Sequence, residues 1–166
     1  MSMRVRPLTP SDAVAARDVR LEGLRLSPEN FGASWEDEAV KPLTWWRDRL
    51  QGPAHWLGAE SGNTLLGLTV VSLNQHAKLA HNADINAVYV RDAFRRRGVG
   101  ALLMQSAMEL LRAKGIAFAT LTVNAENDAA QRLYARFGFT VCGQLQRGLF
   151  VNNRFYDELL MRRGIN

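Results

Sequence analysis

Three arginines (Arg95, Arg96 and Arg97) and two glycines (Gly98 and Gly100) lie close together in the chain. A run of apolar, β-branched residues precedes them, and an apolar pattern with helical period follows them. Backbone N–H groups in the first turn of a helix lack intrahelical partners, and the helix dipole adds partial positive charge there. Because glycine lacks a Cβ atom, a bulky anion can approach the backbone closely. The segment therefore indicates a phosphate or pyrophosphate site, although a plain strand-to-helix turn with solvated arginines gives the same pattern.

Two common phosphate-binding loops are excluded by the spacing of these residues. The chain has no G-x-x-x-x-G-K-[ST] segment, and no third glycine follows Gly100 at the dinucleotide-binding spacing. The segment instead resembles motif A of the GCN5-related N-acetyltransferase (GNAT) family, [RQ]-x-x-G-x-[GA], read here as Arg95-x-x-Gly98-x-Gly100. A downstream segment resembles that family's V-x-x-x-N-x-x-A-x-x-L-Y-x-x-x-G-F pattern. Its fixed positions are occupied by Val123, Asn127, Ala130, Leu133, Tyr134, Gly138 and Phe139.

The resemblance implies a fold and an activity. The expected fold is α/β (α+β), with a mixed, mostly antiparallel sheet of about seven strands flanked by about four helices, in one domain over residues 1–166. The expected reaction transfers the acetyl group of acetyl-CoA to a primary amine by direct attack in a ternary complex, without a metal. The acceptor is expected to be a small, amino acid-like molecule or a peptide. A catalytically silent CoA-binding regulatory module and a protein N-terminal or lysine acetyltransferase are the alternatives.

The same resemblance assigns the cofactor site. The pyrophosphate is expected on N–H groups of the arginine-glycine segment, the pantetheine arm beside the preceding strand, and Asn127 on that arm. A backbone N–H near Val88 is expected to polarise the thioester carbonyl. The predicted cofactor-binding residues are Val88, Tyr89, Val90, Arg95, Arg96, Arg97, Gly98, Val99, Gly100, Ala101, Asn127 and Tyr134.

Acetyl transfer to an amine requires the removal of one proton and the supply of another. Tyr134 matches the family's general acid, and its phenol is protonated at neutral pH and can donate to the departing sulfur. The spacing of Ala130, Leu133 and Tyr134 also suits a buried helix face, and packing of the ring is compatible with donation from the hydroxyl. Asp84 is the predicted base, acting through water, unless it is a solvated carboxylate at a strand end. Some family members need no dedicated base.

The acceptor site is predicted on weaker grounds. The segment after the first helix mixes aromatic and acidic residues, and in the family this region walls the acceptor side. Phe31, Trp35, Glu36 and Asn86 are the predicted substrate-binding residues. The competing interpretation makes the acidic residues from Glu36 onward a solvated helix start.

Composition limits the remaining classes. The chain has 166 residues, 47% hydrophobic content and a formal net charge of +5, which suits one globular domain with a substantial core. A basic balance also fits a nucleic-acid-binding domain, but that class does not explain the downstream motif, so no nucleic-acid partner is expected. Neither a signal peptide nor a membrane span is predicted. Cys142, the only cysteine, is expected to be buried in a strand and fits a reducing, cytoplasmic setting. A homodimer is a further expectation from the family.

Periodicity and turn residues predict the order β-α-α-β-β-β-α-β-α-β-β. In this reading residues 27–38 form a loop, Ile116–Val123 is a strand, and Asp128 is the N-cap of a short helix.

Overall fold

A single seven-stranded sheet organises the molecule. The computed structural model describes residues 2–166, and the strands in it lie in the order β1-β2-β3-β4-β5-β7-β6. Only β4 and β5 pair in parallel, and all other neighbours are antiparallel. The strands are β1 (Arg4–Pro7), β2 (His55–Ser61), β3 (Thr64–Leu73), β4 (Asn82–Val90), β5 (Phe118–Asn124), β6 (Thr140–Val151) and β7 (Arg154–Gly164). The predicted mixed, mostly antiparallel sheet is confirmed.

Five α-helices cover the two faces of this sheet. They are α1 (Ala13–Leu26), α2 (Trp35–Ala39), α3 (Leu43–Gln51), α4 (Val99–Ala113) and α5 (Asp128–Arg136). Apolar side chains of α1 and α3 form one buried cluster with β2 and β3, and α4 and α5 form another with β4, β5 and β7. The apolar stripe of α4 is fully buried, which explains why that segment is helical. Gly115, at φ +70°, follows the end of α4.

The sheet opens between β4 and β5. These strands pair only from Asn82 to Asp84 on β4 and from Phe118 to Thr120 on β5. Beyond those three pairs the strands diverge. The backbone groups of Ile85–Val90 and of residues 121–124 that face each other therefore make no hydrogen bonds across the gap. A gap therefore lies between the two strands, and it starts immediately after Asp84.

Three local predictions are wrong. Residues 27–38 are not a plain loop, because Ser34 accepts a hydrogen bond from the Asp37 N–H at 3.1 Å and starts the short helix α2. The N-cap of α5 is Asn127 rather than Asp128, since the Asn127 side chain accepts the Ala130 N–H. Cys142 is exposed, because it lies at a bulge in the edge strand β6. Within residues 2–166, no helix is long and apolar enough to cross a membrane.

Candidate acetyl-transfer site

One large cleft crosses the opened part of the sheet. Its volume is about 960 Å³, within the range of small-molecule and cofactor sites. The loop before α4 lines one end, the separated edges of β4 and β5 line the middle, and α1 with the segment after it lines the other end. We call these the loop end and the acceptor end.

The loop end is built mainly from backbone. Gly98 caps α4 in the left-handed region at φ +81°, and Arg96 also has a positive φ of 62°. A Cβ atom at Gly98 would meet nothing within 4 Å, so the space beside this backbone is open. The cleft is lined here by Gly98, Val99, Gly100 and Ala101 at the start of α4. The arrangement offers unpaired N–H groups and the positive end of a helix dipole to an anion.

The three arginines behave differently. Arg95 and Arg96 line the cleft, and the Arg95 guanidinium lies 5.6 Å from the centre of the Tyr89 ring. Arg97 instead lies 5.7 Å from the centre of the Phe94 ring and does not line the cleft. The Arg97 side chain therefore does not line the cleft, and the contact of the Arg97 backbone N–H with the cofactor stays a prediction.

A β-bulge shapes the middle of the cleft. Leu68 of β3 pairs with Tyr89, and Val70 pairs with Asn86, so two residues of β4 stand opposite Thr69. The bulged residue, Ala87, has a φ of 53°. The segment 86–90 lines the cleft. Its edge towards β5 makes no ladder with that strand, so its backbone groups are available to an extended ligand.

Tyr134 combines a packed ring with an available hydroxyl. The ring is 7% exposed and lies 6.4 Å from that of Phe139 in an edge-to-face arrangement. Burial raises the pKa of Tyr134 to about 12. The hydroxyl makes no hydrogen bond to any of the described residues, and Tyr134 lines the cleft. Tyr134 is thus a core residue that can also donate a proton into the cleft.

Asn127 caps α5 and lines the cleft at the same time. Its side-chain oxygen accepts the Ala130 N–H at 3.1 Å. This bond fixes which end of the amide faces the helix, and the NH₂ group is left to donate elsewhere. The Asn127 NH₂ group is therefore available as a donor to a ligand.

Asp84 does not line the cleft. Asp84 is opposite Thr120 in the last pair that joins β4 to β5, so the gap has not yet opened at its position. Partial burial raises the pKa of Asp84, and the charge of Arg162 opposes that shift. The structure therefore places the predicted base at the closed end of the gap.

Glu158 is a carboxylate of the cleft that the sequence analysis missed. It is half-buried on β7, pairs directly with Asn124 of β5, and makes no ion pair among the described residues. Burial raises its pKa. Thr120 and Asn124 are four positions apart on β5, so Glu158 lies about 13 Å from Asp84 along the strand direction. Glu158 reaches the cleft because β7 lies between β5 and β6. Local sequence patterns do not predict this strand order, so they could not identify Glu158.

The acceptor end contains some, but not all, of the predicted substrate-binding residues. Phe31 and Asn86 line the cleft, whereas Trp35 and Glu36 do not. Because α2 begins at Trp35, its inward-facing acid is Glu38, which is 5% exposed. A second residue that sequence reasoning missed, Arg20 of α1, also lines the cleft and is 9% exposed.

Comparison with known proteins agrees with this geometry. The sequence model of the acetyltransferase (GNAT) family matches residues 21–139. The chain belongs to the GNAT family. Its match to the N-alpha-acetyltransferase RimI of Mycobacterium tuberculosis has 30% identity over 128 residues, covering 76% of this chain and 77% of that protein.

One further relative and one solved structure are also similar to this chain. An L-methionine sulfoximine/L-methionine sulfone acetyltransferase of Pseudomonas aeruginosa is 37% identical over 81 residues, which are 49% of this chain and 47% of that one. The structure of yncA from Salmonella typhimurium, determined with its cofactor acetyl-CoA, superposes with a TM-score of 0.83 at 20% identity. The superposition covers 100% of this chain and 95% of that one.

This GNAT protein is an acetyl-CoA-dependent N-acetyltransferase, and acetyl-CoA is its co-substrate. The predicted family, enzyme class and co-substrate are confirmed. Among residues 2–166, no group of three or more His, Cys, Asp or Glu side chains is arranged to hold a metal ion.

Proposed function

We propose that this enzyme acetylates the primary amine of a small, amino acid-like molecule or a peptide, by direct attack on acetyl-CoA within a ternary complex. The observation that carries the proposal is the continuity of the cleft, which joins the loop end to the acceptor end through the gap between β4 and β5. A thioester extended along that gap faces the loop with its diphosphate and the acceptor end with its acetyl group. One cysteine, together with the use of acetyl-CoA, supports a cytoplasmic location.

The cofactor roles in this proposal follow from the geometry. The pyrophosphate rests on N–H groups of Gly98–Ala101, and the side chains of Arg95 and Arg96 add positive charge. The pantetheine amides bond the free edge of 86–90. The Asn127 NH₂ group donates to the same arm.

The proposed reaction has two steps, addition of the amine to the thioester carbonyl and elimination of the thiolate. The neutral amine forms a bond from nitrogen to the acetyl carbon, and the bond from that carbon to sulfur breaks. The amine releases one proton to a carboxylate or to water, and the Tyr134 hydroxyl gives one proton to the departing sulfur. Because the pKa of Tyr134 is raised to about 12, the hydroxyl carries this proton at all physiological pH values.

A homodimer is a lesser part of the proposal. The hairpin of β6 and β7 exposes apolar side chains, including Val141, Phe150 and Phe155. Apolar side chains on an edge hairpin favour association with another chain.

Two-substrate initial-rate kinetics test the main proposal. The acceptors are free amino acids, polyamines, aminoglycosides and short peptides, and the readout is acetyl-CoA-dependent thiol release with mass detection of the product. Direct attack gives intersecting reciprocal plots, because both substrates are bound before any product leaves. Parallel plots would indicate an acyl-enzyme and contradict the proposal. The Cys142→Ser variant is the matched control, since Cys142 is the exposed thiol and lies outside the cleft.

The same panel separates an enzyme from a silent CoA-binding module. Binding of acetyl-CoA in a direct titration, without turnover on any amine, would favour the module. The unpaired Tyr134 hydroxyl beside the cleft favours an enzyme, because it is free to donate a proton to a ligand there.

A further inference from the structure

A buried ion pair forms one wall of the acceptor end. The Arg20 Nε donates to Glu38 Oε2 at 3.0 Å, and Arg20 Nη2 donates to Glu38 Oε1 at 3.1 Å. Both side chains are almost completely buried, with exposed fractions of 10% and 7%. These two bonds occupy one edge of the guanidinium. The other terminal nitrogen, Nη1, makes no hydrogen bond to the described residues, and Arg20 lines the cleft.

A second arginine leaves this wall with excess positive charge. Arg49 Nη1 lies 3.5 Å from Glu38 Oε1, so two guanidinium groups share one carboxylate. Desolvation, followed by repulsion from Arg20, lowers the pKa of Arg49. The cluster of Arg20, Glu38 and Arg49 therefore carries one net positive charge, shared by the buried Arg20 and the partly exposed Arg49. Such a charge is stabilised by an anion that reaches it.

The free edge of Arg20 lies at the same end of the cleft as Glu158. The Arg20 guanidinium is 5.6 Å from the centre of the Phe31 ring. Two residues before Phe31, the Glu29 carbonyl accepts a hydrogen bond of 2.8 Å from the side chain of Asn124. Asn124 is directly opposite Glu158 in the sheet, so both side chains project from the same face. The positively charged Arg20 and the half-buried Glu158 carboxylate thus both line the acceptor end of the cleft.

We propose that the acceptor is an amine that also carries a carboxylate, as a free amino acid does, and that the unpaired edge of Arg20 binds this carboxylate. The inference rests on the proposed function and adds the charge class of the substrate. Glu158 is the partner for the amine, which arrives as an ammonium group. A peptide N-terminus provides the ammonium but has an uncharged amide where a free amino acid has its carboxylate.

The first test compares matched acceptors on the unaltered enzyme. The best free amino acid from the acceptor panel is assayed beside its primary amide, which has the same side chain and amine. A hydrogen bond between charged groups is worth about 1.5–3 kcal/mol, so we expect kcat/KM to be about 10- to 100-fold lower for the amide. Equal values within about twofold, or turnover of peptides with no turnover of any free amino acid, would overturn the proposal. Failure of acetyl transfer to every amine would instead contradict the proposed function.

A substitution then assigns the preference to Arg20. In Arg20→Met, the ratio of kcat/KM for acid over amide is expected to fall to about one, because the carboxylate loses its partner. The double variant Arg20→Met/Glu38→Gln removes the pair together and avoids leaving a buried charge alone. The ratio is internal to each enzyme preparation, so partial unfolding does not change it. The control is Arg17→Met, on the same helix but outside the cleft, where the wild-type ratio is expected. An unchanged ratio in both Arg20 variants would refute the assignment.

Discussion

The two ends of the cleft recognise charge by different means. The loop end uses the backbone of consecutive residues, held by the left-handed turn at Gly98 and the start of α4. The acceptor end uses side chains of Arg20, Phe31 and Glu158, which come from α1, the segment after it and β7. A backbone cradle suits a ligand that never changes, because its N–H groups do not depend on side-chain identity. Side chains can be exchanged singly, so the acceptor end is where specificity can diverge within one fold.

The largest effect is expected between the two ends, at Tyr134. Tyr134→Phe removes the proton donor to sulfur and keeps the packed ring, so kcat should fall about 100-fold or more, with little change in the KM for either substrate. Tyr156→Phe is the control, because that hydroxyl bonds Arg154 and does not line the cleft. If kcat of Tyr134→Phe stays within about twofold of wild type, the departing thiolate needs no general acid and Tyr134 does not have this role.

The next largest effect tests which carboxylate receives the amine's proton. Because burial raises the pKa of Glu158, the ionised form needed in a base is lost at a higher pH than for an ordinary carboxyl. The kcat of the wild-type enzyme should therefore rise with pH through that raised pKa. In Glu158→Gln, kcat should fall about 10- to 100-fold and this acid limb should disappear.

Asp84→Asn is the matched comparison for that experiment. Asp84 also has a raised pKa but lies at the closed end of the gap, so its variant should keep the acid limb. Loss of the limb in Asp84→Asn, with retention in Glu158→Gln, would return the base to Asp84. Retention in both would indicate that water alone removes the proton.

A smaller effect is expected from one methyl group at the loop end. Gly98→Ala places a Cβ in the open space where the pyrophosphate is proposed and strains a left-handed backbone. We expect the Kd for acetyl-CoA to rise about tenfold, measured by calorimetry, with the acid-to-amide preference unchanged. Gly115→Ala is the control at the other end of the same helix, since it also has a positive φ and open surroundings. Equal loss of affinity in both variants would mean that strain in α4, and not blocked approach, is responsible.

The contrast between the ends explains what could be read from the sequence. The loop and the segment from Val123 to Phe139 are local patterns, so the fold, the cofactor and the position of Tyr134 were predictable. Arg20 and Glu158 are 138 positions apart and line the same cleft because β7 inserts between β5 and β6 and because Asn124 binds the Glu29 carbonyl. No periodicity encodes either event.

The predicted residues that lie outside the cleft do so for identifiable physical reasons. Trp35 and Glu36 were assigned to the acceptor because aromatic and acidic residues suit an amine. The cap at Ser34 instead turns the segment so that Glu38 faces inward. Asp84 was predicted to be the base, but the pairing of β4 with β5 ends at Asp84 itself, and register between distant strands cannot be counted from one strand.

The three residue pairs between β4 and β5 have a mechanical consequence. Among residues 2–166 they are the only ladder that joins the first four strands to the last three, so the sheet is held together at its centre by a short stretch of pairing. A ligand whose amides lie in the gap between β4 and β5 can make hydrogen bonds to backbone groups that do not pair with each other in the protein. Its binding free energy is then also free energy against unfolding, in proportion to the logarithm of its concentration. The cell's supply of acetyl-CoA would thus raise the stability of this enzyme against unfolding as well as its rate.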